Sequence, residues 1–182
     1  MRNPVNNQNL QQINLESLIR TIPDFPKPGI QFKDITPVLR NPLSFKSAID
    51  QMASPFKKTP IDVVVAIEAR GYLLGAAIAL KIGSGIVPVR KPNKLPWLTF
   101  EESYELEYGS ETLQIHQDAI GEGDNVLLVD DVLATGGTLR ATINLIERFR
   151  ANIVGISLLA ELSFLDGRDQ LKGLQIHSVI SY

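Results

Sequence analysis

The chain has 182 residues, 44% of them hydrophobic, with a formal net charge of −2 and no cysteine. That length and apolar fraction fit one α/β domain with its own core and argue against a disordered chain. The near-balanced charge argues against a sequence-independent nucleic-acid binder, the missing cysteines exclude disulfides and thiol catalysis, and no apolar run approaches bilayer-spanning length.

Residues 1–12 are polar and rich in Asn and Gln, so a flexible tail is expected. They show neither the basic start nor the apolar stretch of a secretory signal, and a cytoplasmic location is expected. Leu15, Leu18, Ile19 and Ile22 suggest a short amphipathic helix with Asn14 as N-cap, ended by Pro23. Residues 23–28 read Pro-Asp-Phe-Pro-Lys-Pro and form a rigid segment leading to Gly29–Ile35. Asn41–Phe56 reads as a second helix. Ile61–Ile67 is rich in β-branched residues and reads as a buried strand, interrupted by Glu68-Ala-Arg-Gly71. Tyr72–Ile82 reads as a buried helix and Gly85–Arg90 as a further strand. Lys91–Glu107 lacks a clean period and is expected to be a long mobile excursion. Glu111–Gln117 alternates apolar and polar residues, as one arm of a hairpin would.

The densest chemistry lies in Val126–Thr138. Four aliphatic residues, expected to end a strand at Val129, run into Asp130 and Asp131. Open α/β sheets bind ligands at the carboxyl ends of their strands. Ala134, Thr135, Gly136, Gly137 and Thr138 follow with little side-chain bulk, and Leu139, Ile143, Ile146 and Phe149 then repeat at helical spacing. The loop therefore opens a helix, where free N–H groups and the dipole favour an anion. A sugar fits this arrangement, with hydroxyls on the two aspartates and a phosphate in the loop. A bare Asp-Asp pair is more often solvated surface; the loop behind it reverses that preference. The spacing is not that of a nucleoside-triphosphate loop, since no Gly-Lys-Ser/Thr follows. Ile153–Leu159 and Leu174–Ile180 read as the last strands. Strands alternating with helices predict an α/β fold with a mainly parallel central sheet and helices on both faces. His116 and His177 belong to no motif and make no metal site.

These segments resemble the type I phosphoribosyltransferases. The resemblance is carried by residues 23–37, by Glu68–Gly71, Arg90–Pro96 and Ser103–Gly109, by the Asp-Asp…Ala-Thr-Gly-Gly-Thr run, and by Glu161-Leu162 and Leu165–Arg168. It runs from about residue 15 to the C-terminus, and residues 23–37 with Tyr104–Tyr108 point to the members that use adenine. It implies a single domain over 1–182, with a base-binding hood at 23–37 and a mobile catalytic loop at 91–109. It implies transfer of a phosphoribosyl group from phosphoribosyl pyrophosphate to adenine, giving AMP and pyrophosphate, in a homodimer. Mg2+ would enter with the substrate, held by pyrophosphate and ribose oxygens, with no dedicated protein site and no organic cofactor.

On that resemblance Asp130 and Asp131 hold the ribose hydroxyls and Ala134–Thr138 the 5′-phosphate. Arg70, Arg90, Lys91 and Lys94 meet the pyrophosphate, for which guanidinium and ammonium groups are suited. Gln31, Phe32 and Lys33 meet adenine, Phe32 by stacking. Glu107 is the general acid/base or orienting group at the purine. Tyr104 and Tyr108 belong to the lid, whose closure keeps water from the activated ribose. A non-proline cis peptide is implied in the Glu68–Gly71 turn. Two positions depart from the family pattern: Trp97 stands where Gly is common, which bears on the loop's hinge, and Lys33 where Arg is frequent. The alternatives are another purine base, or a regulator that binds phosphoribosyl pyrophosphate without catalysis. The short stretch before Pro23 holds no DNA-binding domain, which disfavours the regulator.

Overall fold

In a computed structural model the described residues are 13–105 and 109–182. The expectations for the tail 1–12, for Glu107 and for Tyr108 lie outside them. Internal contacts divide the chain into two units, one ending at Ala48 and the other Ile49–Tyr182.

In the first unit the expected helix over residues 15–22 is replaced by a 3-10 turn, Glu16–Leu18, and strand β1, Arg20–Pro23. Asn14 still accepts from the Ser17 N–H at 3.2 Å. The reason for the change is non-local. A helix of two turns is marginal alone, whereas β1 finds an antiparallel partner in β2, Gln31–Asp34, with Ile22 opposite Phe32. Helix α1, Thr36–Arg40, follows. Helix α2, Pro42–Ala53, starts where Asn41 Oδ1 accepts from the Leu43 and Ser44 N–H groups, and runs past the unit boundary.

The second unit holds a five-stranded sheet. Its strands are β3 (Val63–Ile67), β4 (Gly85–Val89), β7 (Asn125–Leu133), β8 (Asn152–Glu161) and β9 (Ile176–Ser181). Between β4 and β7 lies a hairpin of β5 (Thr99–Glu105) and β6 (Ser110–His116). The sheet order is β4-β3-β7-β8-β9, with every pair parallel. Strand β3 is buried along its whole length, as its unbroken apolar run requires. Its alternate residues serve opposite faces. Val64 and Ala66 face α3, Arg70–Ile82, whose Gly75 comes so close that a Cβ there would lie 2.6 Å from the Ala66 Cβ. Val63, Val65 and Ile67 join Val126 and Leu128 in the cluster that packs on Leu139, Ile143 and Ile146 of α4, Gly137–Glu147. The sheet therefore carries a helix on each face.

The excursion over 91–107 is not without regular structure, since β5 occupies much of it. Its inward residues are Phe100, Glu102 and Tyr104, a period of two written partly in polar side chains and so invisible to a hydrophobic count. They dock on α4 and the residues just beyond it. Phe100 meets Phe149 edge-on at 5.3 Å, Glu102 accepts from Asn144 and Arg148, and the Tyr104 hydroxyl meets Thr138 at 3.0 Å. The other arm, β6, matches expectation.

At the far end of the sheet, Ser157 donates to the Met52 carbonyl at 2.8 Å. Gly155 lies against Phe56, whose ring a Cβ at residue 155 would overlap. Gly155→Ala is expected to destabilise the protein by about 1–3 kcal/mol through overpacking. Urea unfolding measures this directly, and an unchanged midpoint would contradict it.

Candidate active site

Strand β7 does not end at Val129, as expected, but continues to Leu133. It loses one neighbour on the way: pairing with β3 stops at Val129, while pairing with β8 runs on to Leu133 opposite Glu161. Asp130 and Asp131 thus sit on a strand supported from one side only. Both are buried, at 7% and 6% exposure, not solvated at a strand tip. The Asp131 N–H donates to Asp130 Oδ1 at 2.8 Å. Arg70, in the first turn of α3, places its Nε 2.8 Å from Asp131 Oδ2. Gly71 allows that approach, since a Cβ there would come within 2.8 Å of Asp130 Oδ1. Burial, with the charge of Asp131 beside it, holds the Asp130 carboxyl well above the usual aspartate range.

The loop after β7 behaves as its composition implies. Gly136 takes φ +88° and leads into α4, leaving the first N–H groups of that helix directed at the loop. Asp130, Val132, Ala134, Thr135, Gly136 and Thr138 line a cleft. Tyr104 lies beside it, with ring atom Cδ2 placed 3.2 Å from where a Gly137 Cβ would be. Burial, with the Glu111 and Asp130 carboxylates nearby, pushes the Tyr104 phenol up to about 12, so it is neutral. Its hydroxyl donates to Glu111 Oε2 at 2.9 Å. Its single proton being spent there, the Thr138 hydroxyl donates to it.

The basic cluster is organised by a residue the sequence reading passed over. Glu68, 9% exposed at its side chain, takes Arg90 Nε at 3.3 Å, the Lys91 N–H at 2.9 Å and the Lys94 ammonium. Burial pushes its carboxyl up, but these bonds and charges outweigh it and hold the group below the usual glutamate range. Lys91 Nζ reaches Glu111 at 2.9 Å, which ties the cluster through Tyr104 to Thr138. Of the cations expected at a pyrophosphate, Arg90, Lys91 and Lys94 are therefore brought together, each with a carboxylate partner already, while Arg70 pairs with Asp131. A run of Arg-Lys-Pro-Asn-Lys gives no sign of that, because Glu68 is more than twenty residues away. The Glu68–Ala69 peptide is cis.

Gln31, Phe32 and Lys33 lie together on β2 of the smaller unit. Phe32 is half-buried, not core, and meets Phe25 edge-on at 5.1 Å. Lys33 Nζ donates to the Thr21 hydroxyl at 3.0 Å. Among the described residues no cluster of three or more His, Cys, Asp or Glu side chains is arranged to hold a metal, and no helix is long and apolar enough to cross a membrane.

Residues 35–172 match the family model described as phosphoribosyl transferase domain. An adenine phosphoribosyltransferase of Thermotoga maritima is 53% identical over 171 residues, spanning 94% of this chain and 99% of that protein. The crystal structure of adenine phosphoribosyltransferase from Rhodothermus marinus superposes with a TM-score of 0.89 at 51% identity, covering 92% of this chain and 96% of that one. The Saccharomyces cerevisiae enzyme, complexed with an imino-altritol bisphosphate and adenine, gives a TM-score of 0.86 at 40% identity over 91% and 96% of the two chains. The chain belongs to the phosphoribosyltransferase family, and within it to the adenine phosphoribosyltransferases.

Proposed function

We propose that this protein transfers the 5-phosphoribosyl group of phosphoribosyl pyrophosphate to adenine, a purine-salvage reaction. A ring nitrogen of adenine attacks the anomeric carbon, the bond from that carbon to pyrophosphate breaks, and adenine gives up a proton. The products are AMP and pyrophosphate. The observation that carries this reading is the buried Asp130–Asp131 pair, set beside a helix-opening loop with Arg70 in contact.

In this reading the two aspartates accept from the ribose hydroxyls, and whichever is ionised offsets positive charge as the leaving group departs. The N–H groups and hydroxyls of Ala134–Thr138 take the 5′-phosphate. Arg70, Arg90, Lys91 and Lys94 neutralise pyrophosphate, the last three exchanging Glu68 and Glu111 for the incoming anion. Gln31, Phe32 and Lys33 take adenine, and Glu107 assists loss of its proton. The loop 91–109, with Tyr104 and Tyr108, closes over the substrates and excludes water. Mg2+ arrives as part of the substrate complex, held mostly by pyrophosphate and ribose oxygens.

The whole chain acts as one catalytic domain, with 23–37 as its hood and 1–12 as a tail, in the cytoplasm. An exposed apolar stripe on α3, Leu73, Ala76 and Leu80, beside Ile86 of edge strand β4, supports a homodimer. Nucleic acid and membrane have no part in this reading.

Initial rates with phosphoribosyl pyrophosphate, Mg2+ and a panel of bases test the assignment. AMP formation from adenine should exceed product formation from hypoxanthine or guanine by about a thousandfold, since a site that pairs the exocyclic amine rejects an oxo group. A preference for another base refutes the choice of adenine. Binding without turnover of any base refutes the enzyme.

A further inference from the structure

One motif of the sequence has no place in the chemistry above: Leu165-Asp-Gly-Arg168, with Glu161 upstream. In the fold it lies behind the phosphate loop. Gly136 and Gly167 meet backbone to backbone. A Cβ on Gly136 would stand 2.5 Å from the Gly167 carbonyl oxygen, and a Cβ on Gly167 would overlap the Ala134 carbonyl oxygen and come within 2.8 Å of Leu133 Cδ1. Each segment is thus shaped against the other, backbone against backbone.

The turn that presents Gly167 is itself braced from two directions. Arg168 forks onto Glu161 at the end of β8, with Nε at 2.9 Å and Nη2 at 2.6 Å from Oε2. Glu161 is buried and also accepts from Ser178 at 2.7 Å and Ser181 at 3.2 Å, so its carboxylate is fixed. From the other side Arg140 of α4 donates to the Gln170 carbonyl at 2.8 Å, and Leu171 is sunk in the core. The Leu162 N–H donates to the Leu133 carbonyl at 2.9 Å, just before the loop begins. Sheet, helix and turn form a closed frame around Ala134–Gly136.

We infer that the Asp166–Arg168 turn is a positioning element, which fixes the phosphate loop in the shape that aims its N–H groups at the 5′-phosphate of phosphoribosyl pyrophosphate. This rests on the reading of that loop as the phosphate site. Anion capture by backbone amides depends on their convergence, and a shift of the order of 1 Å spoils it. Gly167 touches the back of the loop and Arg168 acts through Glu161; neither needs to contact substrate.

The test uses the full chain and initial-rate kinetics in both substrates. Gly167→Ala should raise the KM for phosphoribosyl pyrophosphate about tenfold or more while the KM for adenine stays within about twofold. Arg168→Gln should give a smaller rise of the same selectivity, partly restored in Arg168→Lys, which keeps the charge but not the fork. Asp169→Ala, an exposed change on the same turn, should match the unmodified protein. An unchanged KM for phosphoribosyl pyrophosphate in folded Gly167→Ala overturns the inference. Should that variant not fold, Arg168→Gln decides: equal shifts in both KM values, or none, overturn it. Failure of the unmodified protein to form AMP would sink the functional reading and this inference together, whereas an active enzyme with indifferent variants sinks only the inference.

Discussion

Asp130→Asn should yield a protein that is more stable near neutral pH yet nearly inactive. Asp130 is buried next to Asp131, and both effects hold its carboxyl above the usual range. A raised native pKa means that the folded state binds the proton more tightly than the unfolded chain. The resulting stability is full below the unfolded value of about 4 and is lost as pH rises through the native value. Near neutral pH the buried acid is then a net cost, whether it stays charged or takes up a proton. Asparagine removes it and keeps an oxygen for the Asp131 N–H, so a gain of about 1 kcal/mol is expected, fading as the pH falls toward 4. Turnover should fall by about a hundredfold or more, because a neutral amide is the weaker acceptor for ribose hydroxyls and offers no charge to the transition state. Thermal unfolding at two pH values and kcat measure the two halves. A lower Tm near neutrality would show that the Asp130 acid is not destabilising.

Arg70→Ala removes charge from the same cluster with the opposite effect on stability. Asp131, 9% exposed at its side chain, loses the guanidinium 2.8 Å away and stays buried as an acid. Breaking a fully buried pair costs about 3–5 kcal/mol; Arg70 is one-third exposed, which brings the expected loss to about 1–3 kcal/mol. Turnover should drop by about a hundredfold, since Arg70 holds Asp131 and, in the proposed reading, also meets the pyrophosphate. Arg70→Lys should recover stability better than rate, because a point charge replaces a fork. Denaturant unfolding alongside kinetics distinguishes this pattern from simple unfolding. Equal recovery of both quantities would assign Arg70 a structural role alone.

The apolar strands and their order in the chain were readable from sequence because each is a short run of β-branched residues closed by a turn. The grouping of Asp130–Thr138 around one cleft was readable for a related reason: acids, loop and helix start are contiguous, so local pattern carries the geometry. What escaped the sequence depends on partners far along the chain. β1 is a strand only because β2 lies beside it. β5 hides its period because Glu102 and Tyr104, inward-facing, pair with Asn144, Arg148 and Thr138 across a helix. The last four residues of β7 lie beyond the apolar run and are held by β8 alone. The anchoring of Lys94 by Glu68 spans 26 positions and leaves no local trace.

The three attachments of β5 to α4 and its C-terminal side differ in kind along its length. Phe100 is held by an aromatic edge, Glu102 by an amide and a guanidinium, Tyr104 by the Thr138 hydroxyl and by its ring lying against Gly137. Loss of the Glu102 carboxylate would remove the ties to Asn144 and Arg148 together and leave the ribbon fastened to the helix side by its two aromatic residues.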